Sequence, residues 1–208
     1  MKFYSQYGQD KWLYENYFKD KKNGVFLEIG ADDGIDKSNT MFFEESMGWS
    51  GICIEPSPAR FKLLKENRKC VCECVAISDY IGEAQFLDIC GWGKGLSGIV
   101  KSYHKNHLPR IKNEVRHPNN TGHDVITVQT DLLNNILSRN SVYNIDFCTV
   151  DTEGSEFEIL NALDFDKYNI KIILVENNYN DNRIKDLLVE KGYQHEGRVG
   201  PIDDIYAS

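Results

Sequence analysis

The sequence contains no apolar run approaching the roughly 18 residues needed for a helix to cross a bilayer, so no membrane span is expected. Its first residues, Met1-Lys2-Phe3-Tyr4-Ser5-Gln6-Tyr7, hold no apolar core of a secretory leader, and the expected location is cytoplasmic. Positive charge is in short supply: 24 Lys and Arg stand against 32 Asp and Glu, a net of −8. Such a balance disfavours a phosphate backbone, so no nucleic-acid partner is expected. The basic residues between Lys94 and Arg116 are interleaved with His and Pro and form no clean stripe. Repeats and low-complexity stretches are absent. So is a zinc-binding pattern: of the six cysteines, Cys70, Cys72 and Cys74 alternate as C-x-C-x-C, not at the wider C-x2-4-C spacing of zinc ligands. Without a leader, all six, including Cys53, Cys90 and Cys148, are read as reduced and packed.

What is present fits a globular protein: 41% hydrophobic and 27% charged residues. At about 150 residues per domain, 208 residues make one domain, 1–208. Apolar periodicity and turn residues predict alternating elements. Helices are expected over 9–18 (with Trp12, Leu13, Tyr17 and Phe18 on one face), 38–47 (capped by Ser38), 58–68, 132–137, 153–163 and 183–191. Strands are expected over 25–29, 51–54, 71–77, 85–89, 125–128, 145–150 and 170–175, with a terminal hairpin over 193–199 and 204–207. Residues 91–122, rich in Gly and His, read as a long variable loop or lid with one short helix. Alternation of strand and helix implies an α/β fold, a mostly parallel sheet wrapped by helices.

Four acidic residues end apolar strands: Glu28, Glu55, Asp151 and Glu176. Ligands of open α/β sheets bind beyond the carboxyl ends of the strands, where the strand order reverses. Acids buried there are costly unless paired, which suggests a site for hydroxyls, an amine, a cation or a metal. The turn Glu28-Ile29-Gly30-Ala31-Asp32-Asp33-Gly34 is not G-x-G-x-x-G, because position 32 is Asp. A nicotinamide dinucleotide is therefore a poor expectation, and an acidic loop better suits a positive centre. Glu55, 25 residues after Gly30, can accept from two ribose hydroxyls. Gly93-Lys94-Gly95-Leu96-Ser97-Gly98 lacks the P-loop spacing and is expected to border an acceptor pocket.

Six stretches together resemble the FkbM-type S-adenosylmethionine-dependent methyltransferases: Ser5-Gln6-Tyr7-Gly8-Gln9-Asp10, the turn over 28–34, Ser38-Asn39-Thr40, the run over 48–58, Val75-Ala76-Ile77-Ser78-Asp79 and the run over 150–160. They cover nearly the whole chain except 91–122. The resemblance implies a Rossmann-like class I methyltransferase fold of seven strands, the last antiparallel. It implies methyl transfer from S-adenosylmethionine to an oxygen, with a carbohydrate hydroxyl as the expected acceptor. A lipid, polyketide or protein acceptor remains open, as does a non-catalytic nucleotide-binding module.

On that resemblance, Glu28 and the backbone of Gly30 and Ala31 would hold the methionine end, with Asp33 in the same turn, and Ser38 and Asn39 would donate to its carboxylate. Glu55 would hold the ribose, Pro56 and Ser57 one side of the adenine, and Ala76, Ile77 and Ser78 the other. Gln6, Tyr7 and Gly8 would fold over the pocket. Asp151 is the expected base and also borders the donor. His104 and His107, from a group that includes His117 and His123, are alternative bases. Asp151, Glu153, Glu176 and Asn177 could instead bind magnesium or manganese through oxygen. Glu153 and Glu156 could equally serve the helix dipole, and Trp92 and Tyr103 either stack on a sugar or simply pack.

Overall fold

The computed structural model describes residues 1–208. The chain begins with α1 (Gln9–Leu13), which runs into a π-helical turn over Tyr14–Phe18. The wide turn puts Leu13 and Phe18 on the buried face and leaves Tyr17 outside, which shifts the expected apolar face. Next come β1 (Val25–Ile29), α2 (Met41–Met47), β2 (Ser50–Ile54), α3 (Pro58–Asn67) and β3 (Val71–Glu73). The middle holds β4 (Ala76–Ile77), β5 (Gly82–Gly91), β6 (Gly98–Ile99), α4 (Leu108–Val115) and β7 (Asn120–Asp131). The last third is α5 (Leu133–Arg139), β8 (Asn144–Val150), α6 (Glu156–Asn161), β9 (Asn169–Glu176), α7 (Asn182–Glu190), β10 (Gln194–Val199) and β11 (Asp203–Ala207).

Seven strands form one sheet in the order β10-β11-β9-β8-β1-β2-β3. The pairs of β1 with β2 and β8, of β2 with β3, and of β8 with β9 are parallel. Strand β11 runs antiparallel to both its neighbours. Side chains alternate across this doubly covered sheet. Leu27 and Ile29 pack with Leu137 of α5, Leu160 of α6 and Leu188 of α7. Phe26 packs on the other face with Leu13, Phe43 of α2 and Leu64 of α3. The expected seven-stranded, mostly parallel architecture with helices on both faces is the one present.

A second sheet, β4-β7-β5-β6, departs from expectation. The strand expected over 71–77 divides: β3 stays in the large sheet, while β4 pairs with β7 in the small one. Residues 91–122 contain the one short helix expected there, α4, but are more structured than a loop. They hold β6, α4 and two 3-10 turns, and they end in β7, whose ladder with β5 runs from Gly82–Thr130 to Gly91–Asn120. Most of β7 is exposed, so it has no apolar alternation to reveal it, and pairing rather than propensity makes it a strand.

Two helix starts also differ. Helix α2 begins at Met41, not Ser38. Helix α6 begins at Glu156, and Glu153 precedes it in a left-handed conformation (φ 61°). The switch point lies between β1 and β8. Here Gly30 has φ 87°, and a Cβ on it would meet the Asp151 carbonyl oxygen at 1.8 Å, so only glycine allows the two strand ends to come this close.

Candidate functional site

A cavity of about 730 Å³ opens above the carboxyl ends of β1, β2, β8 and β9, with the 91–99 segment and α4 as its far wall. Of the expected site residues, Gln6, Tyr7, Glu28, Gly30, Ala31, Ser38, Asn39, Glu55, Pro56, Ala76, Ile77, Asp151 and Glu176 line it. Gly8, Asp33, Ser57, Ser78, His104, His107 and Asn177 do not.

Glu28 is buried and fully occupied. Its carboxylate accepts from Ser38 Oγ (2.9 Å), Thr40 Oγ1 (2.6 Å), the Asn39 backbone N–H (2.8 Å) and Arg68 Nη1 (3.2 Å). Arg68 also pairs with Glu44, at 2.5 Å. Glu28 therefore shapes the 38–40 loop instead of offering a free charge to a ligand. Ser38 is spent likewise, donating to Glu28 and accepting from the backbone of Thr40 and Met41. Asn39 differs: its Nδ2 donates to Thr149 Oγ1 (3.1 Å), and its buried Oδ1 has no partner.

Glu55 is buried but only half occupied. One oxygen accepts the Asp32 N–H (3.0 Å), the other the Ser57 N–H (2.8 Å). Each keeps a second lone pair. Burial pushes its carboxyl up to about 7. Beside it lie Ile54, Pro56, Val75, Ala76, Ile77 and Phe86, an apolar slot reached from both sheets. Ser57 is off the wall because its hydroxyl is bonded to Asp88 (2.9 Å), and Ser78 faces a second cavity.

The acidic loop over 32–36 is not an open anionic wall. Lys94 Nζ reaches Asp32 (2.8 Å), Asp33 (3.3 Å) and Asp36 (3.2 Å). Asp33 also caps the turn by accepting from the Ile35 and Asp36 backbone. The uncompensated charge sits elsewhere. Asp151, Glu153 and Glu176 each bring a carboxylate oxygen within 4.8 Å of the others. Asp151 is open to the cavity, and partial desolvation by the surrounding protein, together with the Glu153, Asp203 and Glu156 charges, pushes its carboxyl above the usual carboxylate range. Burial and the Asp151 and Glu153 charges do the same to Glu176. Sequence reasoning missed Asp203, which arrives from β11 and accepts from Gln9 Nε2 (2.5 Å). No local pattern marks it.

Asn177, expected beside these acids, is committed elsewhere: its amide donates to Asp204 (2.8 Å) and accepts the Asp181 N–H (2.6 Å). Of the four expected oxygen ligands, Asp151, Glu153 and Glu176 stay together without it. Glu156, the true first-turn acid, accepts from the Thr152 hydroxyl and from the backbone of Thr152 and Gly154. A second cavity of about 300 Å³ shares Glu153 and Glu176 with the first and contains His104 and His107. His107 is only 2% exposed. It puts Nε2 3.1 Å from Glu153 Oε2 and Nδ1 2.7 Å from Tyr179 Oη. His104 is exposed and stacks on Tyr179. Both histidines thus stand behind Glu153, outside the main cavity. Tyr103 stacks on His107 and donates to the Leu96 carbonyl, so it is packing.

The strand order, the reversed β11 and a cleft at the switch point define a Rossmann-like methyltransferase architecture. The FkbM methyltransferase domain matches residues 28–195, and the chain belongs to that family. Among solved structures, the FkbM methyltransferase of Methylobacillus flagellatus KT is similar, with a TM-score of 0.53 at 11% identity over 96% of this chain and 50% of that one. The N-terminal domain of human METTL16 gives 0.49 at 13% identity over 95% and 66%. The precorrin-6y C5,15-methyltransferase of Geobacter metallireducens GS-15 gives 0.47 at 12% over 96% and 86%. The chain spans half the length of the first and just under two thirds of the second. No curated protein matches it.

Proposed function

We propose that this chain, as the single domain 1–208, transfers a methyl group from S-adenosylmethionine to a carbohydrate hydroxyl. The observation that carries the donor is Glu55: two buried oxygens, each with one lone pair free, beside an apolar slot lined from both sheets. That pairing suits an adenosine, with ribose hydroxyls on Glu55 and adenine between Pro56, Ala76, Ile77 and Phe86. The glycine passage at Gly30 and Ala31 leaves room for the methionine chain, and the orphaned Asn39 Oδ1 is an acceptor for its ammonium. Gln6 and Tyr7 close the near side. The residues present therefore fit the donor.

When bound, the donor supplies an electrophilic methyl on a cationic sulfur. Asp151, Glu153 and Glu176 surround the neighbouring space with carboxyl groups that an incoming cation, unlike a neutral ligand, draws into the ionised form. Asp151 is the base. Its raised carboxyl is a stronger proton acceptor than an ordinary aspartate, and it stands in the main cavity where an acceptor hydroxyl can reach it. Glu153 supplies a second carboxylate beside it. Alignment of the acceptor by the far wall contributes the rest through positioning.

The carbohydrate acceptor rests on the family resemblance and on Trp92, an indole 62% exposed on the cavity wall. Titration calorimetry with S-adenosylhomocysteine, then donor-dependent labelling of glycosides against lipid, polyketide and protein acceptors, tests both halves. Saturable binding with labelled glycosides is the expected result. Binding without transfer to any acceptor would leave a nucleotide-binding module. The proximity of three acids without a Lys or Arg among them also favours a second reading, in which Asp151, Glu153 and Glu176 hold magnesium or manganese. Calorimetry with each ion, and transfer assays with and without a chelator, separate the two.

A further inference from the structure

The segment over 91–123 carries six Lys and Arg against one Glu, a net of +5, which leaves −13 for the rest of the chain. Its contribution to the cavity wall is equally distinct. The large sheet and its loops bring Glu28, Glu55, Asp151, Glu153, Glu176 and Asp203 to the wall, with two bases, Lys37 and Arg60, the latter paired with Asp32 and Asp88, while the segment brings Trp92, Lys94, Arg110 and Glu114. Lys94 is consumed by Asp32, Asp33 and Asp36. Arg110 is not consumed by anything. Its natural helical partner is Glu114, four residues on. Glu114 instead accepts from the Trp92 indole N–H (3.1 Å). No other carboxylate approaches, and Arg110 is close enough to Tyr179 to restrain the rise of its phenol that burial causes.

Trp92 is exposed yet held. Glu114 fixes its N–H, and His117 stacks on its ring at 5.1 Å and 21°. An exposed indole immobilised this way is an aromatic platform with its face ready for an apolar sugar face. Glu114 thus does two things at once: it orients the platform, and it leaves a guanidinium free one helical turn away. A free arginine beside a fixed aromatic recognises a planar or tetrahedral oxyanion together with the ring that bears it.

We infer that the acceptor is an anionic sugar, a pyranose bearing a carboxylate or a phosphate, with its ring on Trp92 and its anion on Arg110. This deepens the carbohydrate reading above and rests on it. The cleft then offers two unlike charges: the Asp151, Glu153 and Glu176 cluster to a cationic donor and the Arg110 guanidinium to an anionic acceptor. The two charges also favour each other across the site.

The test uses the full chain, with and without S-adenosylhomocysteine, and follows the Trp92 indole N–H resonance. The probes are glucuronate, glucose 6-phosphate, inorganic phosphate and the neutral methyl α-D-glucopyranoside. At least one anionic sugar is expected to bind about tenfold or more tightly than the neutral glycoside, consistent with a charge-assisted arginine contact. A preference for glucuronate assigns a carboxylate and a preference for glucose 6-phosphate a phosphate. Arg110→Gln abolishes the preference, Arg110→Lys keeps part of it, and Lys112→Gln, off the cavity wall, keeps it whole. Equal affinity for charged and neutral sugars overturns the inference, as do no saturable binding of either anionic sugar, binding of inorganic phosphate as tight as that of the sugars, or equal losses in Arg110→Gln and Lys112→Gln. A chain that prefers anionic sugars yet fails to bind S-adenosylhomocysteine overturns the donor reading and leaves this site standing.

Discussion

Two groups of carboxylates stand on the same rim and face opposite fates. Around Glu28, every negative charge has an answer: Arg68 bridges Glu28 and Glu44, and Ser38 and Thr40 supply hydroxyls. Around Asp151, the acids answer only one another, with His107 at the edge. The first group is finished without a ligand and holds the 38–40 loop in shape. The second is an unfinished arrangement, tolerable in a folded protein because its acids can keep protons, and it gains most from an incoming cation. Carboxylates at strand ends are thus not equivalent, and what separates structure from site is whether the counter-charge is built in.

The sharpest break in that comparison is Asp151→Asn. Loss of the base is expected to slow methyl transfer by about 10²- to 10⁴-fold. Thermal unfolding should show no loss of stability, because a repelled acid has been removed. Donor-analogue affinity, measured alongside, separates a chemical defect from a binding defect. Arg68→Gln attacks the other group. It strands Glu28 and Glu44 in the interior and is expected to cost about 3–5 kcal/mol of stability in urea titrations, the range for breaking a buried pair. Equal effects of Asp151→Asn and Arg68→Gln on stability would erase the distinction drawn between the groups.

Glu55 lies between these extremes. Glu55→Gln is expected to weaken S-adenosylhomocysteine binding by about tenfold or more, since hydrogen bonds to a charged group are lost. Its raised carboxyl makes affinity depend on pH. Ribose hydroxyls donate to the ionised form, so binding must expel a proton below about 7. Affinity should fall about tenfold per unit of pH below that point and level off above it, with one proton released per ligand in calorimetry across buffers. Without ligand the sign reverses for the fold: the neutral form is preferred, so this group's contribution to stability is complete below the ordinary glutamate range and is lost as pH rises through about 7. The mildest expected effect is that of Lys94→Ala. It frees the 32–36 acids at a part-exposed site and should cost no more than about 1 kcal/mol, visible mainly as a salt-dependent change in melting temperature.

Strand β1 was legible to the residue and β8 to within one, because each is a buried run between strong turn signals, and α3, in which Leu64 alone is buried, to within one from the proline in its first turn. Strand β7 was legible only over its middle, 125–128; the outer half is wet on both sides and exists because β5 pairs with it. At the site, Glu55 could be foreseen from its place after β2. The saturation of Glu28 could not, since Arg68 lies 40 residues away. Nor could Asp203, delivered by the antiparallel β11, or the diversion of Asn177 to Asp204. Glu153 could be read either as an oxygen ligand beside Asp151 or as a first-turn helix acid, and the left-handed backbone before α6 decides for the place beside Asp151.

By itself the sequence determined the order of elements in the large sheet, the family, and which of its strands end in acids, because these depend on side chains a few positions apart and on patterns that repeat along the chain. Only the tertiary structure decided which of those acids are neutralised and which are left for a ligand. Electrostatic compensation depends on separation in space, and the partners that supply or withhold it come from strands and loops far apart in the chain.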